Sequence, residues 1–287
     1  MPELADPREA VHDARAFAFD DRDFRRIVRM IRARAGIHLG DHKRDMVYSR
    51  LSRRVRALGL QRFCDYLDVV EQDDDADETQ AFVNALTTNL TAFFREPHHF
   101  DTLADVLRAA PRGPITIWCC AASTGEEPYS IAMTACEAFG TDTPPVRILA
   151  TDIDTQVLQT ASNGVYPVER LDAVSPERRR AFFLRGNGAN AGLCRVKPSL
   201  RALVSFRPLN LLDADYGLRG GFATVFCRNV MIYFDKPTQR EVLARIMPLV
   251  APGGLLFAGH SESFTHAADL VDSCGRTTYR AATPGTR

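Results

Sequence analysis

The spacing of apolar residues predicts two kinds of region along this chain. From Phe24 onward, and again through Val47 and Leu51, apolar positions recur every three or four residues, which is typical of amphipathic helices. From Pro114 onward, short apolar runs alternate with helical stretches instead. The first pattern predicts a small all-helical unit over residues 20 to about 85, and the second predicts a mostly parallel α/β sheet.

Six short apolar runs are candidate strands of this sheet. In chain order they read ITIWCC, VRILATDID, LVSFRPLN, FATVFCRN, GGLLFAGH and TTYRAA. The alternation breaks between Phe182 and Ser205, where the glycine-rich stretch FFLRGNGANAGLCRVKPSL predicts an inserted hairpin or small subdomain. Because ligands of open α/β sheets bind at the carboxyl ends of the strands, the residues that follow these runs are the candidates for a site.

Composition and charge argue against a nucleic-acid-binding protein, a membrane-spanning protein and a zinc protein. The 287-residue chain carries 36 basic and 36 acidic side chains, so no overall field draws it to nucleic acid. No apolar stretch is long enough to span a membrane, and the acidic first 20 residues predict a loose leader and not a signal peptide. The seven cysteines show no C-x-x-C spacing, which favours buried free thiols in a reducing cytoplasm over a zinc site. We therefore expect a cytoplasmic protein without a bound metal.

The loop after the first predicted strand, AASTGEE, is unusual for a nucleotide site. Dinucleotide-binding folds place several glycines there so that a pyrophosphate can approach, whereas this chain has only Gly125, followed by Glu126 and a second glutamate. An acidic loop suits a cationic ligand, and Asp152 at the end of the second strand is placed to bind a ribose. S-adenosylmethionine offers both features, and Glu126 would pair with its amino group. The alternative is structural, with Ser123 and Glu126 forming a capping box and Asp152 serving as a helix cap or loop acid.

Five longer segments resemble the signature blocks of the CheR chemotaxis receptor methyltransferases. They are NLTAFFREPHHF (89–100), WCCAASTGEEPYSIAM (118–133), ATDIDTQVL (150–158), FCRNVMIYFDKPTQ (226–239) and LLFAGHSESF (255–264). The resemblance covers about residues 20 to 280 in order. It implies an S-adenosylmethionine-dependent methyltransferase, with S-adenosylhomocysteine as product, that esterifies glutamate side chains on bacterial chemoreceptors.

The resemblance also implies a fold and a domain organisation. A Rossmann-like α/β methyltransferase domain over residues 89–287, with a small inserted β subdomain at about 182–205, follows an all-helical receptor-docking domain over 21–88 and a loose leader over 1–20. Some family members hold the receptor's C-terminal tail on the insertion by strand addition, and the sequence leaves open whether this chain does so.

The resemblance implies two sets of site residues. Those implied to contact or line the cofactor are Asn89, Thr91, Arg95, Glu126, Asp152, Asn210, Leu211, Arg228 and Asn229. Arg95 and Tyr233 are the candidates for holding the substrate carboxylate in line with the methyl group. The structural alternatives are an N-cap or linker salt bridge for Arg95 and a core aromatic for Tyr233. No general base is required, because a glutamate with a pKa of about 4.3 is ionised at neutral pH.

Four arginines on the second predicted helix form a candidate docking surface. They are Arg50, Arg53, Arg54 and Arg56. A charge run of this kind is often only a solvated face. The family context favours contact with the glutamate-rich cytoplasmic helices of a chemoreceptor, and such contact should weaken with salt.

Two histidine motifs invite other chemistry. His98 and His99 follow a proline at a helix start, and adjacent histidines point in different directions, so structural roles are expected in place of a shared metal. His260 lies in GHSES, which lacks the G-x-S-x-G order of a serine hydrolase.

Two other function classes compete with the enzyme. A catalytically degenerate member that senses S-adenosylmethionine or scaffolds receptors is the main alternative. A nicotinamide-dependent oxidoreductase is disfavoured because the glycine fingerprint is missing. The favoured interpretation is a monomeric enzyme that is not inserted in the membrane but acts on membrane receptors.

Overall fold

The computed structural model describes residues 16–72, 76–110 and 113–282. The chain divides into two compact units: the first runs up to Met30 and resumes over Leu39–Leu86, and the second contains Ile31–His38 and the chain from Thr87 onward. Much of the predicted leader lies outside the described residues.

Four helices lie in the described part of the first unit. They are α1 (Asp21–Ala35), whose last turn belongs to the second unit, α2 (Arg44–Ala57), α3 (Phe63–Gln72) and α4 (Ala76–Leu86). Val47, Leu51 and Val55 on α2 are fully buried, as are Tyr66 and Leu67 on α3. The apolar stripe of α2 therefore forms part of the core of the first unit, which confirms the predicted all-helical region.

The second unit combines six helices with ten strands among its described residues. The helices are α5 (His98–Ala109), α6 (Glu126–Phe139), α7 (Thr155–Asn163), α8 (Pro176–Phe182), α9 (Pro198–Arg201) and α10 (Lys236–Ile246). The strands are β1 (Ile115–Cys119), β2 (Val146–Asp152), β3 (Val165–Pro167), β4 (Phe183–Arg185), β5 (Leu193–Val196), β6 (Val204–Pro208), β7 (Phe222–Phe226), β8 (Val250–Phe257), β9 (Val271–Gly275) and β10 (Thr278–Ala281).

Seven of these strands form one mixed sheet in the order β6-β2-β1-β7-β8-β10-β9. The strands from β6 to β8 are parallel, and β10 runs antiparallel to both of its neighbours. All six predicted runs supply strands, and the predicted α/β fold is confirmed. The carboxyl ends of β1, β2 and β7 lie at the same edge of the sheet, because these strands are parallel neighbours.

The other three strands form a small antiparallel sheet in the order β3-β5-β4. Strands β4 and β5 lie in the glycine-rich stretch, whereas β3 precedes it, directly after α7. This small sheet is the inserted β subdomain of the predicted fold.

The main sheet is covered by an apolar layer on each face. Along β1, Ile117 and Cys119 enter one layer, while Trp118 and Cys120 enter the other. The indole N–H of Trp118 donates to the Thr151 hydroxyl at 3.0 Å, so its single polar group is satisfied in the core. All seven cysteines are free thiols, and five are buried. Within the described ranges, none of the helices has both the length and the apolar character required to cross a bilayer.

Candidate active site

Asp152, the last residue of β2, organises the loop that follows β1. Its Oδ2 accepts the Ser123 N–H at 2.9 Å, and its Oδ1 accepts the Asp154 N–H at 2.9 Å. Burial raises the pKa of Asp152 to about 6, although the hydrogen bonds from Asp154 and Ser123 oppose that shift. Ile153 contributes a further backbone hydrogen bond. A carboxylate can accept about four hydrogen bonds, so this one retains capacity for a hydroxyl of a sugar.

The loop itself has an unusual backbone. Ser123 has a φ of +49°, in the left-handed region, and its hydroxyl donates to the Asn89 carbonyl at 3.1 Å. Gly125, and not Ser123, is the N-cap of α6, and no side chain caps this end. The predicted capping box is therefore wrong, because the Ser123 hydroxyl is directed to a different segment. A Cβ on Gly125 would lie 2.7 Å from the Tyr166 hydroxyl, which explains a glycine at this position.

Glu126 opens α6 with one carboxylate oxygen hydrogen-bonded and the other without a partner in the described part of the chain. Its Oε2 accepts the Thr124 hydroxyl at 2.6 Å. Its Oε1 is buried and accepts no hydrogen bond from any residue that the structure describes. Arg170 Nη1 lies 3.8 Å from this oxygen, beyond hydrogen-bonding distance. A buried acceptor left in this way is costly unless a ligand supplies a donor.

Asp154 contacts the predicted site residue Asn89, a contact that the sequence did not predict. Its Oδ1 caps α7 by accepting the N–H groups of Gln156 and Val157. Its Oδ2 accepts the Thr87 hydroxyl at 2.7 Å and the Asn89 amide at 2.8 Å. An aspartate before an apolar helical run is an N-cap signature, so the sequence contained the signal. The amide of Asn89 thus contacts Asp154, and its contact with a cofactor stays a prediction.

Thr91 and Arg95 lie in the loop that precedes α5. The Thr91 carbonyl accepts a hydrogen bond from Arg170 at 3.4 Å, and Arg95 donates to the Leu90 carbonyl at 3.1 Å. Both side chains are partly exposed. Their predicted contacts with cofactor and substrate are compatible with that exposure and stay predictions.

Asn210 and Leu211 follow β6. The Asn210 amide donates to the Arg34 carbonyl at 2.7 Å, and its oxygen accepts the Leu212 N–H at 3.0 Å. Leu211 is buried in the apolar layer that contains Trp118. The side-chain amide of Asn210 therefore holds backbone groups, and the predicted contacts of both residues with a cofactor stay predictions.

Arg228, after β7, is a fully buried guanidinium between two carboxylates. Its Nη1 donates to Glu127 Oε2 at 2.8 Å, its Nη2 lies 3.4 Å from Glu96 Oε2, and Nη2 also donates to the Arg95 carbonyl. Burial raises the pKa of Glu127, and Arg228 opposes that shift. Burial would also raise the pKa of Glu96, but Arg228 and hydrogen bonds from His260 reverse the shift and lower the pKa to about 2. This ion-paired network was missed from sequence, and the cofactor role of Arg228 stays a prediction.

Asn229 lies where the ends of β7 and β8 approach each other. Its backbone has a φ of +58°, and its N–H donates to Glu262 Oε2 at 3.0 Å. A Cβ on Gly259 would lie 2.2 Å from the Asn229 amide nitrogen. Glu262, in the GHSES motif, also accepts the Ile232 N–H at 3.3 Å. The motif thus supplies a buried carboxylate that orders two strand ends, and the cofactor contact of Asn229 stays a prediction.

Tyr233 lies in a short 3-10 turn after β7. Its carbonyl accepts the His38 N–H at 3.0 Å, and its partly buried ring packs against the apolar layer that contains Trp118. This packing fits the core-aromatic alternative, and partial exposure leaves the hydroxyl role of Tyr233 a prediction.

Glu96, His98 and His99 form a cluster of potential metal ligands, with one ligand atom from each within 4.8 Å of the others. The expectation that adjacent histidines point apart does not hold here, because their ring centroids are only 4.1 Å apart. Arg228 already places a cation 3.4 Å from the Glu96 carboxylate. Burial, followed by repulsion from Arg228, lowers the pKa of His99 to about 4. We therefore interpret the cluster as part of the Arg228 network.

The arginines of α2 belong to the first unit and differ in their surroundings. Arg54 donates through Nε to the buried Glu78 at 3.0 Å. Arg50 donates to a backbone carbonyl of α4 at 3.3 Å. Arg53 and Arg56 are exposed. The predicted docking role of all four stays a prediction.

Comparison with known proteins gives the same family from two directions. The model described as "CheR methyltransferase, SAM binding domain" matches residues 89–280, and "CheR methyltransferase, all-alpha domain" matches residues 22–87. A chemotaxis protein methyltransferase of Klebsiella aerogenes is 53% identical over 93% of this chain and 91% of its own. Chemotaxis protein methyltransferase 2 of Pseudomonas aeruginosa is 53% identical over 93% and 95%, and an Escherichia coli chemotaxis protein methyltransferase is 52% identical over 91% of both chains.

This chain belongs to the CheR methyltransferase family. Membership confirms the predicted methyltransferase that uses S-adenosylmethionine. The residues at the strand ends fit that group, because Glu126 Oε1 is a buried acceptor without a described partner and Asp152, at the end of β2, is a buried hydrogen-bond acceptor. In the CheR fold of this chain, backbone N–H groups hold the Asp152 carboxylate and the Thr124 hydroxyl holds that of Glu126.

Proposed function

We propose that this protein transfers a methyl group from S-adenosylmethionine to glutamate side chains of bacterial chemoreceptors and forms methyl esters. Membership of the CheR family and the names of the relatives support the reaction class and the substrate class. The observation that carries the proposal is the buried Oε1 of Glu126, which has no hydrogen-bond partner among the described residues. A cationic ligand suits such an acceptor.

Within this proposal, Glu126 binds the amino group of the cofactor and Asp152 binds its ribose hydroxyls. The remaining pocket residues are Asn89, Thr91, Arg95, Asn210, Leu211, Arg228 and Asn229. Several of them shape the pocket through backbone groups or neighbouring side chains. The Asn89 amide donates a hydrogen bond to Asp154, and the Arg228 guanidinium donates one to Glu127.

When bound, S-adenosylmethionine supplies an electrophilic methyl group to the incoming carboxylate. The chain contributes positioning and partial exclusion of water, because the nucleophile is already ionised. Arg95 and Tyr233 donate to the substrate carboxylate and hold it in line. Their partial exposure limits the strength of that contact, which preserves the nucleophilicity of the carboxylate.

Receptor docking is assigned to the arginines of α2, Arg50, Arg53, Arg54 and Arg56. The exposed pair Arg53 and Arg56 makes the direct contact with acidic receptor helices. Arg54 instead binds Glu78 and so connects α2 to α4. The enzyme acts as a monomer on the cytoplasmic part of the receptor. Strands β3 and β4 are the edges of the small sheet, so either could bind a receptor tail by strand addition.

A labelling experiment tests the function. The protein is incubated with tritiated S-adenosylmethionine and chemoreceptor-bearing membranes, and base-labile methyl ester is counted. Asp152→Ala should abolish cofactor binding and ester formation, whereas the exposed control Asp172→Ala should retain both. Cofactor binding by the parent protein without ester would favour the sensor or scaffold, and absence of binding would refute both functions.

A further inference from the structure

We infer that Arg170 binds the carboxylate of the cofactor's amino-acid end, while Glu126 binds its ammonium group. Arg170 follows β3 of the small sheet, so this inference makes the inserted subdomain a part of the cofactor site. It rests on the proposed function, because it assumes that S-adenosylmethionine occupies the pocket beside Glu126.

The distance between the two charges is the first argument. Arg170 Nη1 lies 3.8 Å from Glu126 Oε1, and that oxygen has no hydrogen-bond partner among the described residues. At this distance the charges attract each other without forming a hydrogen bond, which leaves donor and acceptor available. The side chain of Glu126 is 1% exposed, whereas that of Arg170 is 49% exposed. A ligand can therefore engage Arg170 without breaking a buried ion pair.

The chemistry of an α-amino acid is the second argument. Its ammonium and carboxylate groups are attached to one carbon, so a protein that binds both needs an acid and a base close together. Arg170 and Glu126 are such a pair. A guanidinium has five N–H donors in a planar fork that matches a carboxylate. Arg170 uses Nη1 for a 3.4 Å hydrogen bond to the Thr91 carbonyl, which anchors its head while other donors remain for a ligand.

The support of Arg170 is the third argument. The hydroxyl of Tyr166, on β3, donates to the Thr124 carbonyl at 2.8 Å, in the loop just before Glu126. The Tyr166 ring is buried and packs in a T-shaped arrangement with Phe93, at a centroid distance of 5.2 Å. The start of the segment that carries Arg170 is thus fastened to the loop that leads to Glu126. Binding geometry is preserved best by this kind of rigid support.

Ligand dissection by isothermal titration calorimetry tests the inference. The ligands are S-adenosylmethionine, its decarboxylated form and 5′-methylthioadenosine, which lacks the whole amino-acid end. The parent protein should bind the decarboxylated form about tenfold more weakly, as expected for one charge-assisted contact at a half-exposed group. Arg170→Gln should bind S-adenosylmethionine about tenfold more weakly and should no longer distinguish it from the decarboxylated form. Its affinity for 5′-methylthioadenosine should equal that of the parent.

Arg180→Gln is the matched control, since Arg180 is an exposed arginine of α8 that pairs with Glu177. It should bind all three ligands as the parent does. Equal discrimination by Arg170→Gln and the parent would overturn the inference, and Arg95→Gln would then be tested for loss of discrimination. Equal weakening of all three ligands in Arg170→Gln would also overturn it, by indicating a structural role. Failure of the parent to bind S-adenosylmethionine would instead refute the proposed function.

Discussion

Glu126 and Glu127 are neighbours in the first turn of α6, but their carboxylates lie in regions with opposite properties. Both oxygens of Glu127 have partners, the Cys119 thiol at 3.3 Å and Arg228 at 2.8 Å. Glu126 has one oxygen bound and one without a described partner, near the half-exposed Arg170. A closed ion pair contributes to the folded state, whereas an open acceptor is suited to a ligand. The difference shows that burial alone does not identify a functional carboxylate, and that its partners do.

The largest expected effect is on stability. Glu127→Gln should lower the free energy of unfolding by about 3 kcal/mol, because among the described residues it leaves the buried Arg228 with only Glu96 as a counter-charge. Urea unfolding followed by Trp118 fluorescence measures the change. Glu126→Gln should change stability by less than about 1 kcal/mol, since it removes no described ion pair at hydrogen-bonding distance. Equal losses of stability in Glu127→Gln and Glu126→Gln would contradict the distinction between the two carboxylates.

The second effect reverses the order of the two glutamates. Glu126→Gln should weaken S-adenosylmethionine binding about tenfold, because the ammonium group loses its carboxylate partner. Calorimetry at neutral pH measures the dissociation constant. Glu127→Gln, measured below its unfolding temperature, should weaken binding by less than Glu126→Gln does, because Glu127 acts on the pocket through Arg228. A larger loss of affinity in Glu127→Gln than in Glu126→Gln would show that Glu127, and not Glu126, contacts the cofactor.

The third effect is a pH dependence at Asp152. Its pKa in the folded protein is about 6, raised from 3.8. Between these two pH values the folded protein keeps the carboxyl proton of Asp152, whereas the unfolded chain has lost it. The contribution of Asp152 to stability is therefore greatest at low pH and falls as the pH rises through about 6. Binding should show the opposite trend, since an ionised carboxylate is the better acceptor for sugar hydroxyls. We expect affinity about fourfold lower at pH 5.5 than above pH 7.

Asp152→Asn is the control for this pH dependence, because the amide does not titrate in this range. This variant should bind S-adenosylmethionine more weakly, so its calorimetry needs a high protein concentration. Its affinity should show no step near pH 6. A step of unchanged size in this variant would assign the titration to another group.

The smallest effect extends the comparison to α2. Arg53→Ala should raise the KM for receptor about threefold and leave S-adenosylmethionine binding unchanged, because Arg53 is exposed and its contact is screened by salt. Arg54→Ala should instead lower stability, since it leaves the buried Glu78 carboxylate without this partner. Initial rates at two salt concentrations and urea unfolding distinguish the two arginines. An equal loss of cofactor affinity in Arg53→Ala and Asp152→Ala would refute the assignment of Arg53 to receptor docking and Asp152 to cofactor binding.

The apolar pattern predicted most of the sheet, and its omissions have physical reasons. Most residues of strands β1, β2 and β7 are buried, and strands buried from both faces produce continuous apolar runs. Strand β3 has three residues and ends at Pro167, which is too short for any periodicity. Strand β9, VDSCG, lies at the edge of the sheet and is mostly exposed, so few of its positions need to be apolar.

The candidate site could be predicted only in part. Strand ends are visible in the sequence, and they indicated Glu126 and Asp152. Two adjacent glutamates look alike in a sequence, however, and the partners that distinguish them, Arg170 and Arg228, come from distant segments. No local spacing relates Arg228 to Glu127 across 101 residues. The N-cap Asp154 could have been found from its position before an apolar helical run.

The left-handed Ser123 has a consequence for how the cofactor loop keeps its shape. Glycines let a loop adopt such backbone angles freely, whereas a serine there is under strain of about 1 kcal/mol or more. This loop is held instead by Asp152, 29 residues away, and by the Asn89 carbonyl, 34 residues away. Its geometry is therefore a product of tertiary folding, and we expect the loop to become ordered only after β2 and the segment before α5 have docked against β1.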